Sequence, residues 1–233
     1  MYGVDKVQGQ RLPLVQVPTT AGTGSEVTPI AIVTTGETTK SGIVARQLYA
    51  DMAVLDAELT LGLPSAITAA TGIDAMVHAI EAFTSKRLKN PLSDALAVQA
   101  LQLLAANLVP ACQDGKNVQA REAMLLGAML AGQAFANAPV AAVHALAYPL
   151  GGVFHLPHGL SNALVLPHVL RFNAEAAAPH YAALADALLP GTGGDHHAKT
   201  AAFITHIEAL ITATQMPNRL RDHGIQQTDL PRL

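Results

Sequence analysis

The sequence holds one cysteine, Cys112, no tryptophan, and only four tyrosines and five phenylalanines. A single thiol excludes an intramolecular disulfide framework and a thiolate metal cluster, and it fits a reducing compartment. Charged residues make up 13% of the chain, with no run of Lys or Arg and a formal net charge of −3. Phosphate neutralisation and base stacking therefore lack an agent, and nucleic acid is not an expected partner. Half of the residues are apolar. The apolar stretch from Ala138 to Val143 and on through Leu150 is nevertheless broken by His, Pro and Gly well before the ~18 to 20 residues a membrane span needs. No membrane is expected. Tyr2, Gly3, Asp5 and Lys6 offer neither a basic-then-apolar leader nor a cleavage site, so the cytoplasm is the default compartment.

What is present points inward. The 233 residues suffice for one large domain or two small ones. With so little charge to cover the outside, part of the surface is expected to meet another copy, as a homo-oligomer, or a domain outside this chain. The first sixty or so residues read as short β-type runs, at Leu14 to Pro18, Thr28 to Thr34 and Met52 to Leu55. Between the first two lies the loop Thr19-Thr20-Ala21-Gly22-Thr23-Gly24-Ser25-Glu26. After Pro64 helical periods take over, at Ala66 to Thr84, Leu92 to Leu108, Ala120 to Ala136, Leu160 to Phe172, Ala176 to Leu189 and Lys199 to Thr214. Breaks are expected at Asn90-Pro91, Asp114 to Asn117, Pro149 to Gly159, Gly191 to Asp195 and Met216-Pro217. This divides the chain into residues 1–63 and a helical domain, residues 64–233.

Among ten histidines, a few sit at spacings that matter. Asp74 and His78, four apart in a helical period, share a face and reach one ion. Taken alone, the same pair reads more readily as a helix-surface ion pair. His144 precedes Tyr148-Pro149-Leu150-Gly151-Gly152, where proline and paired glycines should end a helix and turn the chain; His158 stands at the next helix start. The turn could bring the two histidines together, or leave each at a helix end where no metal is needed. Three imidazoles and a carboxylate suit Fe²⁺ or Zn²⁺ better than Ca²⁺ or Mg²⁺, without choosing between the first two. The Thr19 to Glu26 loop could wrap a phosphate with N–H and hydroxyl donors. It matches neither a Walker loop nor Gly-x-Gly-x-x-Gly, and such clusters are often plain loops.

Taken in order, Pro18 to Thr28, Gly72-Ile73-Asp74-Ala75-Met76-Val77-His78-Ala79-Ile80-Glu81, and His144 to Gly152 followed by Pro157-His158-Gly159 and Asn162 resemble the motifs of the iron-containing (group III) alcohol dehydrogenase family. The resemblance runs from about Tyr2 to Asp229. It implies a mainly α chain: a helical metal-binding bundle preceded by a short α/β remnant of a nucleotide-binding domain, in the dehydroquinate synthase-like fold. It also implies a metal, Fe²⁺ or Zn²⁺, held by Asp74, His78, His144 and His158. Thr19, Thr20, Thr23 and Lys40 would contact the nucleotide, NAD or NADP. The implied reaction is hydride transfer between a small alcohol, or the corresponding aldehyde or ketone, and the nicotinamide. Tyr148 stands where many members have a further histidine, and His155 is a nearby substitute. Maleylacetate reductases are relatives that usually lose part of the ligand pattern retained here.

The family's Gly-Gly-Gly-Ser pyrophosphate loop occurs nowhere in the sequence. By this reading the chain is a truncated form, active only if a partner supplies the nucleotide half. The alternative is a catalytically inactive metal-binding remnant or an interaction protein.

Overall fold

The computed structural model describes residues 2–36, 40–216 and 219–232, without the side chains of residues 40 and 230–232. Among these described residues five strands come first: β1 (Gly3–Val4), β2 (Val15–Gln16), β3 (Ile30–Thr34), β4 (Lys40–Val44) and β5 (Met52–Ala53). Seven helices follow: α1 (Ser65–Thr84), α2 (Pro91–Gln113), α3 (Val118–Asn137), α4 (Ala142–Val153), α5 (His158–Phe172), α6 (Ala178–Leu188) and α7 (His196–Ala213). Short 3-10 turns fill the intervals, and among the described residues no α-helix precedes Ser65.

The strands form two small sheets. In the first, β4 lies between β1, which it pairs in parallel, and β3, antiparallel with Ile30 opposite Val44 and Thr34 opposite Lys40. In the second, β2 and β5 pair in parallel. Asp51 fastens this pair: it accepts from Arg11 and from the backbone N–H of Leu14 at 2.8 Å. The Arg11 guanidinium, followed by the Leu14 N–H, holds the Asp51 carboxyl down at about 2. β4 was not expected, since Lys40, Ser41 and Gly42 carry no apolar alternation.

The helices form the core, and α1 is its centre. Every residue from Gly72 to Phe83 is buried, so over this span the helix has no solvent face and must be packed on all sides; α2, α3, α5 and α6 all touch α1. Small side chains allow close approach. A Cβ at Gly72 would come within 2.6 Å of both Leu108 and Met124. The helix starts follow their caps: the side chains of Asn90, Asn117 and Asp195 accept backbone N–H groups at the starts of α2, α3 and α7.

Two expectations about boundaries fail. The Leu92 period was expected to stop at Leu108, but α2 runs through Pro110 to Gln113. The segment from Pro149 was expected to be a break, but α4 continues through Pro149, Gly151 and Gly152. An interior proline costs a helix ~3 kcal/mol. Burial of Val143, His144, Ala147 and Leu150 on one side of α4 and of Leu104, Leu108 and Ala111 on α2 offsets it, at ~1.5 to 3 kcal/mol for each large side chain. α2 is also long and apolar enough, by length and composition, to cross a membrane; in the fold its Ala97, Ala100, Leu101, Leu104 and Leu108 are buried, in a helix packed against α1 and α3.

Candidate metal centre

A polar group at the middle of a helix bundle is costly unless something pairs with it. The central helix α1 nonetheless carries three, Asp74, His78 and Glu81, at 2%, 4% and 4% exposure. They lie on one face by the i, i+4, i+7 rule. Two neighbouring helices complete the group. His144 comes from the first turn of α4 and His158 from the first residue of α5. His144 therefore sits in the first turn of a helix, and not at the helix end that Pro149 and the paired glycines were expected to make.

Asp74, His78, His144 and His158 each offer one ligand atom, and these atoms all lie within 4.8 Å of one another. The Nε2 atoms of His158, His144 and His78 stand 3.5, 3.8 and 4.0 Å from Asp74 Oδ1. Around them, aromatic stacking fixes the rings: His78 lies between Phe135 and His144, with centroids 4.4 and 4.7 Å away. His158 is the accessible member, with 38% of its side chain exposed. Burial, above all, holds the His78 imidazole down at about 4, so it is neutral at pH 7 with a lone pair to offer.

The hydrogen bonds tell whether the set fits a cation. Asn162 Nδ2 donates to Asp74 Oδ1 and lies 3.4 and 3.3 Å from Nε2 of His144 and His158, while its own Oδ1 is buried without a hydrogen-bond partner. One amide thus faces three electron-rich atoms. His144 Nδ1 is 2.7 Å from Glu81 Oε2, which leaves Nε2 facing the group. A convergent, lone-pair-rich set of one carboxylate and three imidazoles, all but His158 buried, suits a divalent cation of the iron or zinc type.

The nucleotide-loop residues lie on adjoining elements. Thr19 and Thr23 are exposed and Thr20 is half-buried. Thr23 donates from Oγ1 to Ser25 Oγ at 3.1 Å and accepts from the Ser25 N–H. Gly24, at φ +58°, lets the loop touch α3, since a Cβ there would sit 2.6 Å from Gly132 Cα; Gly22 is similarly pressed on Thr71 of α1. The loop is thus seated on the helices that carry His78 and Phe135. Lys40 opens β4, and its side chain lies outside the described residues. Tyr148, 44% exposed, has its ring stacked 6.4 Å from His158. Burial pushes its phenol up, with the charges of Glu81 and Asp74 adding to the effect. His155 is exposed, with φ +56°.

Sequence reasoning gave no role to Glu81, Phe135 or Asn162. Glu81 was findable, three residues beyond His78 on the same stripe, and so was Asn162, four beyond His158. Phe135 had no local signal, because only the packing of α3 on α1 brings it there.

Fold and site together define a helical domain with a three-histidine, one-carboxylate centre able to hold one divalent ion. The comparisons with known proteins narrow this class. The model described as Fe-containing alcohol dehydrogenase family, C-terminal, matches residues 68–233, and that described as Iron-containing alcohol dehydrogenase matches residues 1–57. The chain belongs to the iron-containing alcohol dehydrogenase family. It is 43% identical over 229 residues to long-chain-alcohol dehydrogenase 1 of Geobacillus thermodenitrificans, covering 98% of this chain and 55% of that one. A crystal structure of a 1,3-propanediol oxidoreductase superposes with a TM-score of 0.94 at 41% identity, covering 99% of this chain and 60% of that one. The sulfoacetaldehyde reductase from Bifidobacterium kashiwanohense, solved in complex with NAD⁺, gives a TM-score of 0.85 at 32% identity over 95% of this chain and 57% of its own. The chain therefore spans less than two thirds of the length of these relatives.

Proposed function

We propose that the chain is the metal-binding part of an NAD(P)-dependent alcohol dehydrogenase that transfers a hydride between a small alcohol and the nicotinamide, with Asp74, His78, His144 and His158 holding the ion. The observation that carries this is the convergence of the four ligand atoms within 4.8 Å of one another in a chain of this family. A bound Fe²⁺ or Zn²⁺ supplies Lewis-acid polarisation of the alcohol or carbonyl oxygen. The protein's part is to keep the His78 imidazole neutral, through burial, and to aim that of His144, through its Glu81 contact. Half-exposed His158 marks the side open to substrate. Tyr148, whose phenol is raised, stays protonated at neutral pH and serves as a hydrogen-bond donor beside His158 rather than as a base. Thr19, Thr20, Thr23 and Lys40 are assigned to the nucleotide, and the relative solved with NAD⁺ supports that cofactor class. The cytoplasm is the proposed compartment, in keeping with the free cysteine.

The test is NADH formation at 340 nm from 1,3-propanediol and NAD⁺, with Fe²⁺ or Zn²⁺, by the chain alone and mixed with the remaining part of the Geobacillus relative. Slow turnover alone, faster turnover in the mixture, and loss of both in Asp74→Asn are expected. Metal binding without turnover in either sample would favour the second reading, a non-catalytic metal-binding domain.

A further inference from the structure

The carboxylate of Glu81 lies beside the four-ligand group, 4% exposed, and both of its oxygens are engaged. Oε1 accepts the backbone N–H of Val143 at 2.6 Å, and Oε2 accepts that of Ala141 at 2.8 Å. Oε2 also stands 2.7 Å from Nδ1 of His144. An ionised carboxylate is an acceptor only, so the ring must present its proton at Nδ1. In a neutral imidazole the lone pair is then on Nε2, the atom 3.8 Å from Asp74 Oδ1. The same carboxylate ties the turn between α3 and α4, where the chain bends by 106°, onto the central helix. His78 has no such control: its Nδ1 is buried without a hydrogen-bond partner and its ring is held by stacking.

We propose that Glu81 is a positioning residue that locks His144 in the Nδ1–H tautomer and aims its Nε2 at the ion site, while clamping the α3–α4 turn onto α1. The proposal rests on the metal reading above, and it assigns to one buried carboxylate the orientation of a ligand from another helix. Partners of this kind typically change metal affinity by ~10- to 100-fold when removed. Glutamine is the informative replacement. It fills the same volume but has one acceptor and one NH₂ group, so whichever way the amide turns, an N–H of Ala141 or Val143 meets another donor.

The test has two arms. In the unaltered metal-free chain, long-range ¹H–¹⁵N correlation on histidine-labelled protein should show His144 protonated at Nδ1; protonation at Nε2 overturns the proposal. In the second arm, Zn²⁺ affinity is measured by competition titration on the unaltered chain and on Glu81→Gln, with helical circular dichroism recorded for both. We expect the variant to keep its helix content and to bind Zn²⁺ ~10- to 100-fold more weakly; affinity within about twofold of the original overturns the proposal. Should Glu81→Gln fail to fold, the first arm decides. Should the unaltered chain take up no Zn²⁺, the metal reading falls, and the ring-proton measurement still judges the role of Glu81.

Discussion

Alanine in place of Gly159 should damage the metal centre from outside it. Gly159 follows His158 at the start of α5, where a Cβ would lie 2.4 Å from the carbonyl oxygen of Ala70, 2.7 Å from its carbonyl carbon and 3.3 Å from the Thr71 nitrogen. These are backbone atoms of α1, one turn before Asp74, and they cannot swing aside as a side-chain tip can. Restoring an ordinary contact of 3.4 Å from 2.4 Å requires the first turn of α5 to retreat by about 1 Å. That turn carries His158, whose Nε2 stands 3.5 Å from Asp74 Oδ1, and leads to Asn162. Overpacking of this kind costs ~1 to 3 kcal/mol, which for a chain of this size lowers Tm by roughly 2 to 12 °C. Binding sites tolerate displacements of only ~0.5 Å, so the Zn²⁺ Kd should rise at least tenfold, a loss of ~1.4 kcal/mol. Differential scanning fluorimetry and competition titration on Gly159→Ala measure the two effects. A lowered Tm with unchanged Kd would refute the reasoning, because it would mean that α5 can shift without carrying His158 away from Asp74.

Gly24→Ala forces a side chain into φ +58° and against Gly132 Cα. It should cost about 2 to 4 kcal/mol in urea unfolding while leaving Zn²⁺ affinity within about twofold, since no ligand lies on that loop; a neutral substitution would mean that the loop is not seated on α3. His78 gives a pH dependence. Its folded pKa of about 4 lies below the unfolded 6.5, so the unfolded chain binds the proton first. The stability that neutral His78 contributes is full above pH 6.5 and drains away as pH falls toward 4. At pH 5.5 the metal-free chain should have lost about 1 kcal/mol from this group relative to neutral pH. Urea midpoints at the two pH values, compared with those of His78→Phe, measure this, and an equal pH slope in both proteins would rule out His78 as its source.

The legible part of this protein was whatever local chemistry encodes. Asn90, Asn117 and Asp195 announce helix starts because a short polar side chain can cap the N–H groups that follow it. Asp74 and His78 were readable as a pair because helical spacing alone puts them on one face. The convergence of His144 and His158 on that pair was not in the spacing. It depends on α4 surviving Pro149 and two glycines, and tertiary burial decides that. Glu81 shows the same limit: its stripe position is local, but its three partners arrive from the turn after α3 and the first turn of α4, some sixty residues later. Strand β4 escaped notice because Lys40, Ser41 and Gly42 pair through backbone alone.

The central claim is a single divalent ion held by Asp74, His78, His144 and His158. Calorimetric titration of the chelator-stripped chain with Zn²⁺, beside Asp74→Asn and His144→Ala, tests it most directly. The account predicts saturation at about one equivalent per chain, as a single four-ligand site requires, with binding lost in both variants. No saturable uptake by the unaltered chain, or a full equivalent retained by Asp74→Asn, would contradict it.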